Sequence, residues 1–129
     1  MKTKIERTLK RFEDELLTFC DANWIEVTIK PIANIDNIKL SAMKHHLPRN
    51  DKGCAFELII FTNEFPDRVY LLCREVGRFL GYTLDDFNNS KETADKWGLS
   101  ILERFFDENK IQKDIAEEIK NAIVEYLKK

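Results

Sequence analysis

At 129 residues, 43% hydrophobic and 34% charged, the chain has the composition of one globular domain spanning 1–129. Length scaling lets a chain of this size bury roughly 68% of its unfolded surface, enough for a core without staples. The net charge of −2 gives no general attraction to nucleic acid or anionic lipid, and the longest apolar run, Val69 to Cys73, is far too short to span a membrane.

The basic N-terminus lacks the apolar region of a signal peptide, so a cytoplasmic location is expected. The three cysteines, Cys20, Cys54 and Cys73, are odd in number and fall on apolar faces. They read as small buried hydrophobes in a reducing compartment and not as a disulfide framework.

In chain order, residues 3–22 carry Ile5, Leu9, Phe12, Leu16, Phe19 and Cys20 at helical spacing, which predicts a long amphipathic helix. Its first turns concentrate Lys2, Lys4, Arg7, Lys10 and Arg11 against Glu6, a solvated face or a contact for an acidic surface. Trp24 to Lys30 then alternates, with Ile25, Val27 and Ile29 on one face and Glu26, Thr28 and Lys30 on the other: a half-exposed strand ended by Pro31. Residues 31–37 read as a connection, and Ile38, Leu40 and Ala42 as a weaker second strand.

The stretch from Cys54 to Gly81 organises the rest. Phe56, Leu58 and Ile60 alternate with Ala55, Glu57, Ile59 and Phe61, so both faces are largely apolar, as in a strand packed on both sides or central in a sheet. Pro66 and Asp67 suit the first turn of a helix whose apolar face is Val69, Leu72, Cys73, Val76 and Leu80, with Gly81 placed to end it. A loop or single turn follows, with Thr83 as its cap. Asn89 or Ser90 then caps a helix lined by Ala94, Trp97, Ile101, Leu102 and Phe105. After a break at 107–110, Ile111, Ile115, Ile119, Ala122, Ile123 and Tyr126 define a last helix. Gly77 and Gly98, each inside a predicted helix, point to close backbone approach between those two helices. The expected fold is α+β: a long N-terminal helix, a three-stranded antiparallel meander, and three C-terminal helices packed on one face.

Chemistry is sparse in this sequence. His45 and His46 are adjacent, so in an extended segment they point to opposite faces and cannot clamp one metal; no CxxC or HExxH spacing occurs. The serines lack a GxSxG context, and four glycines do not make a phosphate cradle. No catalytic, cofactor-binding or metal residue is therefore assigned, and no cofactor is expected. The leading expectation is a small non-enzymatic protein-binding module of inhibitor, immunity-type or chaperone-like character.

Its contact residues are placed in the polar segment 44–53, longer than an ordinary hairpin loop. There Lys44, His45, His46, Arg49 and Lys52 face only Asp51, a cationic set suited to another protein with an acidic surface. One alternative is a small enzyme using His45 or His46 with Glu57, a carboxylate set inside the buried strand, as acid/base partner. The other is nucleic-acid binding through the basic start of the first helix and the 44–52 loop. Double-stranded-RNA-binding domains share the order helix, three strands, helix, but the basic cluster expected at the second helix is replaced here by Asn63, Glu64, Phe65, Pro66, Asp67 and Arg68.

Overall fold

A computed structural model describes residues 3–30 and 40–128. In order these form α1 (Lys4–Ala22), β1 (Ile25–Ile29), β2 (Ser41–His45), β3 (Phe56–Ile60), α2 (Asp67–Leu84), α3 (Lys91–Glu108) and α4 (Lys113–Leu127). The connection read at 31–37, and Ile38 of the expected second strand, lie outside the described residues. The α+β class and the order helix, sheet, three helices are as the periodicity predicts.

The sheet differs from the expected antiparallel meander: it is mixed, with strand order β1-β3-β2. β3 pairs antiparallel with β2 and parallel with β1, Ile25 opposite Phe56 and Ile29 opposite Ile60. The physical reason lies in β3 itself. A strand apolar on both faces gains most from the centre, where neighbours shield it on both sides, while strands with a polar face tolerate the edges. A meander would have put β2, Ser41-Ala42-Met43-Lys44-His45, in that central place. β2 also runs further along the chain than the alternation at 38–43 suggests, so Lys44 and His45 belong to a strand and not to the loop.

α1 and α2 cover one face of the sheet, and α3 and α4 pack behind them, chiefly on α2. Of the three C-terminal helices, α2 therefore lies on the sheet and α3 and α4 form a second layer behind it. α1 starts at Thr3, whose hydroxyl accepts from the Glu6 N–H at 3.1 Å, and α3 at Ser90, whose hydroxyl accepts from the Thr93 N–H at 3.1 Å. Leu9, Phe12, Leu16, Leu58, Ile60, Val69, Leu71, Val76, Leu102 and Phe105 make the centre of the core. Cys20 and Cys73 are buried as expected, whereas Cys54 is only half-buried.

α2 does not end at Gly81 but continues to Leu84. A Cβ at Gly81 would stand 2.7 Å from Thr93 Cγ2, so the glycine admits α3 instead of terminating α2. Thr83, expected to cap a separate turn, donates its hydroxyl to the Phe79 carbonyl at 2.8 Å and stays within α2.

Polar side chains tie this helix to everything around it. Glu75, fully buried, accepts from Ser41 Oγ of β2 at 2.7 Å and from Arg78 Nε at 2.8 Å. Arg74 pairs with Asp95 of α3 at 2.8 Å and donates to the Leu127 carbonyl of α4 at 2.6 Å. Arg68 makes two bonds to Glu13 of α1, at 2.6 and 3.2 Å. Burial pushes the Glu13 carboxyl up, but the bonds from Arg68 and Lys10 prevail and hold it below its usual range.

The closest contact is between α2 and α3, where Gly77 and Gly98 meet as their positions predict. A Cβ on Gly77 would lie 2.1 Å from the Ala94 carbonyl oxygen and 2.5 Å from Gly98 N; one on Gly98 would lie 2.9 Å from the Cys73 carbonyl oxygen. Both obstacles are backbone, which cannot rotate aside. Gly77→Leu and Gly98→Leu are accordingly expected to destabilise the protein by at least ~3 kcal/mol each in denaturant melts, despite leucine's better helix propensity. Gly53→Ala, where no atom lies within 4 Å but φ is +76°, should cost only the ~1 kcal/mol of a left-handed backbone.

Candidate partner-binding surface

The segment expected to form the contact surface is held in place by hydrogen bonds. Asn50 is its organising residue: its side-chain oxygen accepts from the N–H groups of Lys52 at 3.0 Å and Cys54 at 2.9 Å. Its backbone N–H donates to the Cys54 carbonyl at 3.0 Å, its carbonyl accepts from the Gly53 N–H at 2.9 Å, and its side-chain amide donates to Glu26 of β1 at 2.7 Å. This is an Asx-type turn, and the left-handed Gly53 lets the chain re-enter β3. Asn50 was absent from the sequence-based site; the Asn-Asp-Lys-Gly run was its only signal.

The five predicted contact residues divide between the two faces of the sheet. Lys44, exposed, stands opposite Glu57 in the β2–β3 register on the face away from the helices. His46 is on that face too, its Nε2 3.0 Å from Glu57 Oε1, while Thr28 Oγ1 donates to Glu57 Oε2 at 2.6 Å. Lys52 is tied to Glu26 at 2.6 Å, and Arg49 donates to the Gly53 carbonyl at 3.1 Å. His45 faces the helices, stacked on Phe56 with centroids 4.4 Å apart and planes 7° from parallel. The two histidines therefore point to opposite faces, as adjacent residues of a strand must.

This geometry limits the acid/base alternative. The hydrogen bond from Thr28 outweighs desolvation and, with His46, holds Glu57 below the usual carboxylate range. At neutral pH it is an ionised acceptor that orients His46, not a proton donor. The other nucleophile candidates are muted: burial pushes the thiols of Cys20 and Cys73 up to about 12. Among the described residues no three His, Cys, Asp or Glu side chains converge as metal ligands. At the start of α1, Lys10 pairs with Glu13 at 2.7 Å and Arg11 donates to Asn109 at 2.9 Å, so part of that basic cluster is engaged within the fold. No helix among the described residues is long and apolar enough to cross a membrane.

Beside the loop lies a feature absent from the sequence-based site. Rings run from α1 through α2 to β3 and back out to solvent: Phe19 on Phe79, Phe79 and Tyr82 on Phe56, His45 on Phe56 and Tyr82, and Phe87 on Tyr82, with centroids between 4.4 and 6.1 Å. The same end of the molecule carries exposed apolar side chains: Trp24 at 59%, Leu47 at 81%, Leu84 at 64% and Phe87 at 73%. Trp24 opens β1, Leu47 follows β2, and Leu84 and Phe87 flank the end of α2. Single exposed hydrophobes are ordinary, but these four all lie toward the end of the sheet where β1 begins and β2 and α2 end.

Two of these four also sit on strained backbone. Trp24 has φ of 55° and Phe87 of 60°, with Asp86 at 55° beside it. An L-residue in that region costs about 1–2 kcal/mol, which is why glycine or asparagine normally fills such positions after a helix. Exposed aromatic side chains in this conformation gain little from burial to offset it. Exposed charges follow the same segments: Lys44 and Arg49 about the loop, and Asp85 and Asp86 just past the end of α2.

The chain matches no protein-family model, no curated protein and no solved structure.

Two outcomes test this description. Asn50→Ala removes one acceptor from two amides, so it is expected to cost ~1–3 kcal/mol and to speed hydrogen exchange at Lys52 and Cys54 before any part of β3. Glu57 has a folded pKa below its unfolded one, so its contribution is full above about pH 4.3 and is lost as pH falls through the folded value. The stability gap between the protein and its Glu57→Gln variant should thus be widest near neutrality and close on acidification below about pH 4 in urea melts.

Proposed function

We propose that this chain is a small non-enzymatic protein-binding module, acting in the cytoplasm, whose contact surface is the aromatic end of the molecule together with the 46–55 loop. One observation carries the reading: Trp24 and Phe87 are both largely exposed and both held in left-handed backbone where glycine would fold more easily. Strain of that kind persists where something other than stability selects it. Aromatic anchors beside a rigid, charged rim are what hot spots of protein interfaces use.

The partner is a protein that lays apolar side chains between Trp24, Leu47 and Phe87. The rim sets its orientation: acidic groups opposite Lys44 and Arg49, basic groups opposite Asp85 and Asp86. The loop cations thus give direction more than affinity, since Lys52 and His46 are already paired with Glu26 and Glu57.

The experiment is a comparison of variants on immobilised protein against lysate of the native host. Trp24→Gly should fold as well as the parent or better, relieving ~1 kcal/mol of backbone strain, and should weaken capture of a stoichiometric partner by at least ~2 kcal/mol. Leu47→Asp should abolish capture, and Arg49→Ala should slow association and reduce its salt dependence. Leu17→Asp, an exposed position on α1, serves as the control that leaves capture intact. A captured set identical across all four variants would remove the surface, and with it this reading.

A further inference from the structure

A concave site opens between α1, α2 and α3. It encloses about 410 Å³, within the range of small-molecule pockets. Its floor is Phe12, Leu16, Val76 and Phe105, each no more than 2% exposed, so the cleft reaches the core itself. Leu80 and Ile101 extend the apolar wall.

Two observations define what would fit. Trp97 lines this cleft, and its Nε1 is the one buried side-chain nitrogen or oxygen among the described residues without a hydrogen-bond partner. An unmet donor of that kind costs free energy that an acceptor recovers. At the mouth, Glu15 and Glu108 stand against a single cation, Arg104, whose Nε is already 2.7 Å from Glu108. Two carboxylates around one committed guanidinium repel an anionic head group, and the apolar floor rejects any charge brought deeper.

From these we infer that the α1–α2–α3 cleft binds an uncharged, apolar small molecule carrying one hydrogen-bond acceptor, such as a ketone, ester or ether oxygen on a hydrocarbon body. The hydrocarbon lies on Phe12, Leu16 and Val76, and the oxygen accepts from the indole N–H of Trp97 on a tilt of the ring. The cleft shares Phe19 and Leu84 with the aromatic end, but its floor lies in the core and its occupancy does not depend on a partner protein being found there.

The test uses the whole chain and two probes of equal length, 2-octanone and octanoate, followed by the indole N–H resonance of Trp97. The Trp24→Phe variant, altered outside the cleft, identifies which of the two indole signals is which. The ketone is expected to produce a saturable downfield shift of that signal and nuclear Overhauser contacts to the methyl groups of Leu80 and Ile101. Octanoate should bind roughly tenfold more weakly, because its charge meets Glu15 and Glu108 and an apolar floor. Ser100→Phe, which places a ring at the mouth, should remove the ketone's shift. The inference is overturned by no saturable shift with the ketone, by contacts that map elsewhere on the wild-type chain, or by octanoate binding as tightly as the ketone.

Discussion

The contact on which this fold depends is the meeting of α2 and α3 at Gly77 and Gly98, backbone against backbone. At that distance no side chain can intervene, and even the Cys73 thiol is drawn in to donate to the Gly98 carbonyl at 3.2 Å. The close approach fixes how α3 lies across α2, and therefore where Trp97, Ile101 and Phe105 point. It also brings Asp95 within reach of Arg74, whose second bond, to the Leu127 carbonyl, holds the end of α4. One pair of missing methyl groups thus positions two helices, a part-buried ion pair and one wall of the apolar cleft. Glycine's poor helix propensity is a modest penalty beside that gain in packing.

Much of this architecture was legible because it follows from periodicity. The stripe from Ile5 to Cys20, the apolar positions of α2 and the two mid-helix glycines each carry a local signal with one structural meaning. The sheet order was legible too, in β3: a strand apolar on both faces belongs between two others. The antiparallel meander ignored that signal in favour of the simplest connection. Gly81 misled for a related reason. A glycine late in a helix serves either to end it or to admit a neighbour, and only the position of Thr93 in space separates the two.

The surface was harder to read, for physical reasons. The cationic cluster at 44–52 is visible in sequence, but charge says nothing about what already neutralises it. Glu26 and Glu57 sit on other strands: Lys52 meets Glu26 only once β1 lies beside β3, and His46 meets Glu57 only once β2 pairs with β3. The strained backbone of Trp24 and Phe87 has no sequence signature, since nothing in either tripeptide demands positive φ. The ring series from Phe19 to Phe87 joins residues from α1, β2, β3 and the end of α2, contacts no local pattern encodes.

The mixed sheet has a consequence for the order in which the molecule assembles. Among the described residues, β3 is the last strand and the only one with two strand neighbours. A nascent chain that has emerged as far as His45 holds both edges of the sheet and no centre, so α1 and β1 have nothing to dock against. When β3 arrives, the β2–β3 hairpin closes over the 46–55 loop, whereas β1 must return across a longer separation and therefore joins later. The hairpin, pinned by Asn50 and backed by α2, is the natural nucleus, and α1 with β1 is the part added afterwards. Weakening the first should slow folding; weakening the second should chiefly hasten unfolding.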